Sequence, residues 1–292
     1  MTEAIELVDE YQYTKHIHIL TNRETQIPSL LTFGKQTRTN ATESLPPHYH
    51  RNCFEIVYLS AGSALFSAGD ENYKLSGGDV FISMPNQIHS TDSTPISVCE
   101  MYWFQLEANS ENLLFLNQSA AAELIQKLLS FEPPQFHTDS RELYPLIKCA
   151  FDLCVKGDNP CLAGQYLTLF LYKLIEYQKA TTFRLTPDIG RTVDYIMEHI
   201  TEVIQIDELA EISLLSTSQF KQKFKNEVGF SPRQFINYEK IEYSKSLLLE
   251  GRSVTETAGL LNFDNSSYFT VVFKRFNLCT PTEFVKKEAA KK

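Results

Sequence analysis

The sequence predicts an α+β protein of two domains, an N-terminal β-barrel followed by helices and then an all-α domain made of two helix-turn-helix units. Three observations carry this expectation. Between about Leu30 and Leu106 the chain runs in short β-like segments separated by turn residues; from Glu111 the apolar residues take up a helical period; and the phrase FKQKFKNEVGFSPRQF, which begins at Phe220, returns 49 residues later as FTVVFKRFNLCTPTEF. A chain of 292 residues has room for two ordinary domains with good cores. Its 43% hydrophobic content, without a long Gly, Ser or Gln tract, excludes disordered and fibrous classes.

The β region reads as FEIVYL, SALFSA, NYKLS, DVFISM and ISVCEMYWFQL, with AGS, AGDEN, SGGD and PNQ as turns. Short strands at this spacing suit a small barrel or sandwich. Helices are then expected in ENLLFLNQ, AAELIQKLL, LYPLIKCAFDLCV and QYLTLFLYKLIEYQ. The last two carry more apolar residues than one helix face needs, and an exposed stripe on one of them would serve as a homodimer seam. The polar stretch TTFRLTPD lacks periodicity, so the domains are placed at 1–180 and 188–292 with a linker at 181–187.

Seven short helices fit the last hundred residues. Asp207, Ser216, Ser231 before Pro232, Ser253 with Glu256 three on, and Thr280 before Pro281 all read as start signals. In each copy of the repeated phrase two phenylalanines four apart, Phe220 and Phe224 or Phe269 and Phe273, put an apolar stripe on one helix face. A short helix precedes each copy, which is helix-turn-helix spacing with the second helix free to enter a DNA major groove. The faces opposite the stripes carry Thr217, Ser218, Lys221 and Gln222 in the first copy and Ser266, Ser267, Thr270 and Val271 in the second. Gln and Lys bond base edges, and Thr and Val meet a thymine methyl. Lys225, Lys274 and Arg275 lie further along and suit phosphates. The helix between the copies, SPRQFINYEKIEYSKSLLLEG, would span about 28 Å, close to one DNA turn of roughly 34 Å.

A net charge of −9 argues against nucleic acid until it is divided by position. Residues 216–292 hold thirteen basic and eight acidic side chains, so the positive charge sits where the repeat is. The six cysteines form no CxxC pair and are expected as reduced thiols, with Cys149, Cys154 and Cys161 buried in helices. No apolar leader and no run of eighteen apolar residues occurs, so a cytoplasmic protein without membrane contact is expected.

In the barrel, His48 and His50 are two apart and so share a strand face, and Glu55 and His89 can join them across the barrel. Three readings stand open: a small-molecule pocket, a metal site, or structural histidines. Trp103, the only tryptophan, is placed to stack on a sugar or other flat ligand, or to pack in the core.

Two resemblances follow from these residues. LAEISLLSTSQFKQKFKNEVGFSP, KIEYSKSLL and VTETAGLLNFDNSSYFTVVFKRFNLCTP make the last hundred residues similar to the AraC family of bacterial transcription regulators. The spacing H-x-H-x4-E-x6-G, then G-D and P-x3-H, resembles the cupin family. Together they imply a cupin-like sensor and dimerisation domain ahead of an AraC-type DNA-binding domain, and recognition residues near the start of each second helix. They further imply a pocket of His48, His50, Glu55, His89 and Trp103 without metal or other cofactor. The implied partners are a double-stranded DNA operator, a small-molecule effector such as a sugar, a second copy of the chain, and RNA polymerase. Glycines usual in the AraC family are replaced by Leu214, Asn262 and Leu278, so the turns at the two leucines are expected to be rebuilt locally. The rival reading is a metal-dependent cupin enzyme with a helical interaction module, and the doubled helix-turn-helix argues against it.

Overall fold

A computed structural model describes residues 4–69, 71–91, 95–108, 111–179 and 185–290. The chain divides into two compact units: Met1–Arg38, Ser44–Ser93 and Cys99–Phe183 in one, Thr39–Glu43, Thr94–Val98 and Arg184–Lys292 in the other.

The first unit is a curled β half-barrel with helices. Its strands are β1 (Ile5–Glu6), β2 (Gln12–Tyr13), β3 (Ile17–Thr21), β4 (Leu30–Arg38), β5 (His48–Tyr49), β6 (Cys53–Ala68), β7 (Glu71–Ser76), β8 (Asp79–Ser83), β9 (His89–Ser90), β10 (Cys99–Glu107) and β11 (Gln135–His137). The sheet runs β1-β5-β9-β6-β10-β4-β3-β2, with β7 and β8 also on β6 and β11 on β8. β1 and β2 therefore sit at opposite ends of the sheet, and the few residues joining them span its open mouth. The turn expected at 61–63 is instead part of β6, which continues unbroken from Cys53 to Ala68. Gly62 at φ 91 and a register shift opposite Glu100/Met101 let the strand bend there, so that one strand serves both halves of the barrel.

The helices of this unit are α1 (Asn22–Thr25), α2 (Gln118–Leu129), α3 (Ser140–Lys156) and α4 (Pro160–Lys179). Phe33, Phe54, Tyr58, Tyr102, Phe104, Phe151 and Phe170 form one apolar core between sheet and helices. Cys154 is buried in that core as expected, whereas Cys149 and Cys161 face outward, because the buried stripes of α3 and α4 pass through Ala150, Cys154, Ala163 and Leu167 instead. All six thiols are free.

The second unit holds seven helices among the described residues: α5 (Pro187–Glu198), α6 (Ile206–Ser213), α7 (Thr217–Val228), α8 (Pro232–Leu249), α9 (Val254–Leu260), α10 (Ser266–Asn277) and α11 (Pro281–Ala289). The expected linker lies outside the described residues as far as Arg184, and its last residue, Pro187, already opens α5. Ser216, Ser231, Ser253 and Thr280 each cap a helix in a complete capping box. Asp207 does not cap. It lies in the first turn of α6, where a carboxylate favours the helix dipole, and Gln205 takes the cap position. Leu214 and Leu278 keep the left-handed conformation at φ 58 and 60, so these turns are retained and not rebuilt.

Candidate functional site: a buried histidine cluster and two exposed helices

β5 supplies His48, the residue just past it is His50, β9 brings His89 opposite His48, and β6 supplies Glu55. All four side chains are buried. Each histidine is fixed by its Nδ1, which donates to a backbone carbonyl: Pro46 for His48 at 2.7 Å, Leu7 for His50 at 2.9 Å, Gln87 for His89 at 3.0 Å. This leaves the Nε2 atoms of His50 and His89 facing the Glu55 carboxylate, at 3.1 and 2.9 Å. One ligand atom from each of the four residues lies within 4.8 Å of the others.

The electrostatics follow from burial and the shared carboxylate. Burial alone would raise the Glu55 pKa, but hydrogen bonds from His50 and His89 outweigh it and hold the carboxyl well below its usual range. For His50, burial is likewise outweighed, here by Glu55, and the pKa rises. His48 is lowered by burial and then by the neighbouring His89, which outweigh the more distant Glu55 carboxylate.

Three imidazole nitrogens and one carboxylate, with the imidazole tautomers pinned by carbonyls behind them, are the donor set and the outer support that a first-row divalent metal uses. The cluster thus fits a divalent metal, although the resemblance implies a pocket without one. His48, His50, Glu55 and His89 would hold it, and it would supply a Lewis-acidic centre for an oxygen-bearing ligand.

Above the cluster lies a cavity of about 550 Å³ lined by Leu7, Asp9, Thr32, His50, Arg51 and Gln105, among others. Of the five expected pocket residues, His50 alone is part of this lining; His48, Glu55 and His89 lie outside it. Trp103 neither stacks in the cavity nor sits in the core. Its indole lies against Gly34, where a Cβ would come within 2.2 Å of the ring, and its Nε1 donates to Asp9 Oδ2 at 2.9 Å. Gln105, two residues on and on the same face of β10, donates to the same oxygen at 3.1 Å. Burial raises the Asp9 pKa against the opposing Trp103 hydrogen bond. The residue spacing could have found Gln105 through Trp103. Nothing local could have found Asp9, which meets its partners across more than ninety positions.

On the second unit, α7 exposes Ser218, Lys221, Gln222 and Lys225, and α10 exposes Ser267, Lys274 and Arg275. Thr217, Ser266 and Thr270 are half-buried. The Thr217 hydroxyl donates to Asp207 at 2.8 Å, and that of Thr270 to the Ser266 carbonyl at 2.8 Å. Gln222 donates to Asn226 at 3.0 Å, and Arg275 Nε to the Thr39 carbonyl at 3.0 Å. Sequence reasoning missed Tyr268, which α10 exposes beside Val271 (46% and 65% exposed), an apolar pair fit for thymine methyls. The opposite faces hold Phe220 and Phe224, and Phe269 and Phe273, all fully buried as the repeat predicts.

Comparison with known proteins places both parts. Residues 35–159 match the AraC-like ligand binding domain, and residues 209–287 match a helix-turn-helix domain. The "Probable transcriptional regulator LumQ" of Photobacterium leiognathi is 29% identical over 253 residues, covering 85% of this chain and 95% of its own. The "HTH-type transcriptional activator RhaS" of Salmonella arizonae is 23% identical over 246 residues, covering 78% and 84%. Among solved structures, ToxT from Vibrio cholerae aligns over 93% of this chain and 98% of its own, at 13% identity and a TM-score of 0.35. The relatives are transcription regulators and not enzymes, and no helix among the described residues is long and apolar enough to cross a membrane. With a ligand-binding half-barrel and a doubled helix-turn-helix in one sequence, this chain belongs to the AraC family of ligand-responsive, DNA-binding transcription regulators.

Proposed function

We propose that the effector is a hydroxyl-rich metabolite of the sugar class, received in the cavity above a metal ion held by His48, His50, Glu55 and His89. The observation that carries this reading is the convergence of three carbonyl-pinned imidazoles and one carboxylate beside a cavity with polar walls. Asp9, Thr32 and Gln105 offer polar groups to hydroxyls, and about 550 Å³ suits a molecule of that size. The operator is read by Ser218, Lys221 and Gln222 on α7 and by Ser267, Tyr268 and Val271 on α10, while Lys225, Lys274 and Arg275 hold phosphates. The protein works in the cytoplasm as a homodimer joined along α4, where Leu162 and Leu169 are exposed two turns apart, and acts on transcription by RNA polymerase.

The test uses full-length protein stripped with a chelator. Titration with Mn²⁺, Co²⁺, Ni²⁺ and Zn²⁺, followed by metal analysis, should give one equivalent bound per chain, and His50→Ala should lose it. A panel of sugars and sugar acids should then contain a compound that, at 100 times its Kd, adds about 2.7 kcal/mol to stability. Absence of stoichiometric metal together with no response across the panel would contradict the reading.

A further inference from the structure

α8 connects the two helix-turn-helix units, but the backbone is not the only link. Lys240 lies midway along α8, is 6% exposed, and faces two carbonyls: Nζ donates to Leu261 O at 2.7 Å and to Glu202 O at 3.0 Å. Glu202 belongs to the loop between α5 and α6 that enters the first helix-turn-helix. Leu261 belongs to the turn of the second helix-turn-helix, between α9 and α10. One buried ammonium therefore holds both units. Beside it Asn262, at φ 51, sends its side-chain amide to the Thr201 carbonyl, so the same loop and the same turn are tied a second time. A glycine, the residue expected at this turn, has the conformational freedom but no amide to make the bond. Two residues before Lys240, on another face of α8, Tyr238 stacks on Phe230 at 5.3 Å and meets Phe276 of α10 edge-on at 5.8 Å.

A buried lysine bonded only to neutral carbonyls is costly, and desolvation lowers its pKa. Orienting two rigid bodies is a use that requires it. Each base pair added between two half-sites moves the second by about 3.4 Å and rotates it by roughly a tenth of a turn, so a reader with fixed heads accepts one spacing.

We propose that Lys240 and Asn262 form a clamp that fixes the two recognition helices relative to each other and so sets the half-site spacing this regulator accepts. The proposal rests on the reading of α7 and α10 as the DNA-contacting helices.

The experiment is selection of bound sequences from a library of random 30-base-pair duplexes, with the full-length chain and its variants as bait. Wild-type protein should enrich a bipartite motif with a single spacing. Asn262→Gly removes the exposed side chain with its amide and suits the left-handed turn, so it folds; it should enrich the next spacing at least ten-fold more than wild type does. Lys240→Met should do the same, and Lys240→Arg, which keeps donors for both carbonyls, should restore the single spacing. If Asn262→Gly gives the wild-type spacing distribution, the proposal is overturned even if Lys240→Met fails to fold. A wild-type motif with one half only also overturns it while leaving DNA reading intact, whereas no motif at all removes both.

Discussion

Replacing Phe224 with alanine destabilises the helical unit by about 3–5 kcal/mol and abolishes DNA binding. The ring is fully buried and meets Phe220 edge-on at 5.4 Å and Phe235 at 5.6 Å, so alanine leaves a cavity in the seam between α7 and α8. Since a domain is stable by about 5–15 kcal/mol in total, a loss of this size removes a large share of it. Phe273 is the counterpart in the second helix-turn-helix, also fully buried, with Phe269 at 5.8 Å and Phe284 at 5.7 Å, and its alanine variant should behave alike. Urea unfolding followed by a tryptophan-independent signal such as helical circular dichroism checks this, because Trp103 lies in the other unit. An unchanged unfolding midpoint in either variant would show that the paired phenylalanines are not the core of the repeat.

Glu55→Gln leaves the half-barrel folded but lowers its affinity for a divalent metal by about 100-fold or more. The amide has the shape of the carboxylate and can donate to the Nε2 of His50 or His89, both about 3 Å away. It cannot supply the negative charge that offsets a dication among three neutral imidazoles. Isothermal titration with Zn²⁺ and Mn²⁺ measures the change, and circular dichroism confirms the fold. Wild-type affinity in the glutamine variant would mean that the cluster is not the metal site and that Glu55 serves only to neutralise its histidines.

The helical half was the more legible because its signals are local. Ser216, Ser231, Ser253 and Thr280 cap their helices through bonds to residues three positions on, and Phe220/Phe224 and Phe269/Phe273 announce their buried faces within one turn. Where local rules competed, the reading slipped: Asp207 suits either a cap or a first turn, and tertiary packing of α6 chose the second. Leu214, 85% exposed in a left-handed turn, contradicts propensity altogether, since the fold holds the turn and a leucine tolerates the strain.

In the half-barrel the histidine cluster was visible through its period-two spacing, but the cavity was not. Its polar wall is assembled from Asp9, Thr32, His50 and Gln105, brought together by sheet order, and sheet order leaves no mark on a single sequence. The short strands β1, β2 and β9 went unread for the same reason. At two residues each they have no period to detect, and they exist because neighbouring strands offer unpaired edges. The role of Trp103 depended on Asp9, and so could not be chosen from the aromatic strand alone.

The central claim is that α7 reads bases while the cationic ends of the repeat hold phosphates, and one pair of variants tests it most directly. Gln222 is exposed on α7, with its amide donating to Asn226; Lys274 is exposed near the end of α10. Full-length wild-type, Gln222→Ala and Lys274→Ala proteins are titrated against the selected operator, its single-base variants and a salt series. The account predicts that Gln222→Ala loses roughly 1–3 kcal/mol at one half-site and relaxes base preference there alone. Lys274→Ala should weaken binding to every sequence about equally and reduce the salt slope by about one unit. Uniform weakening by Gln222→Ala, or a changed sequence preference in Lys274→Ala, would contradict it.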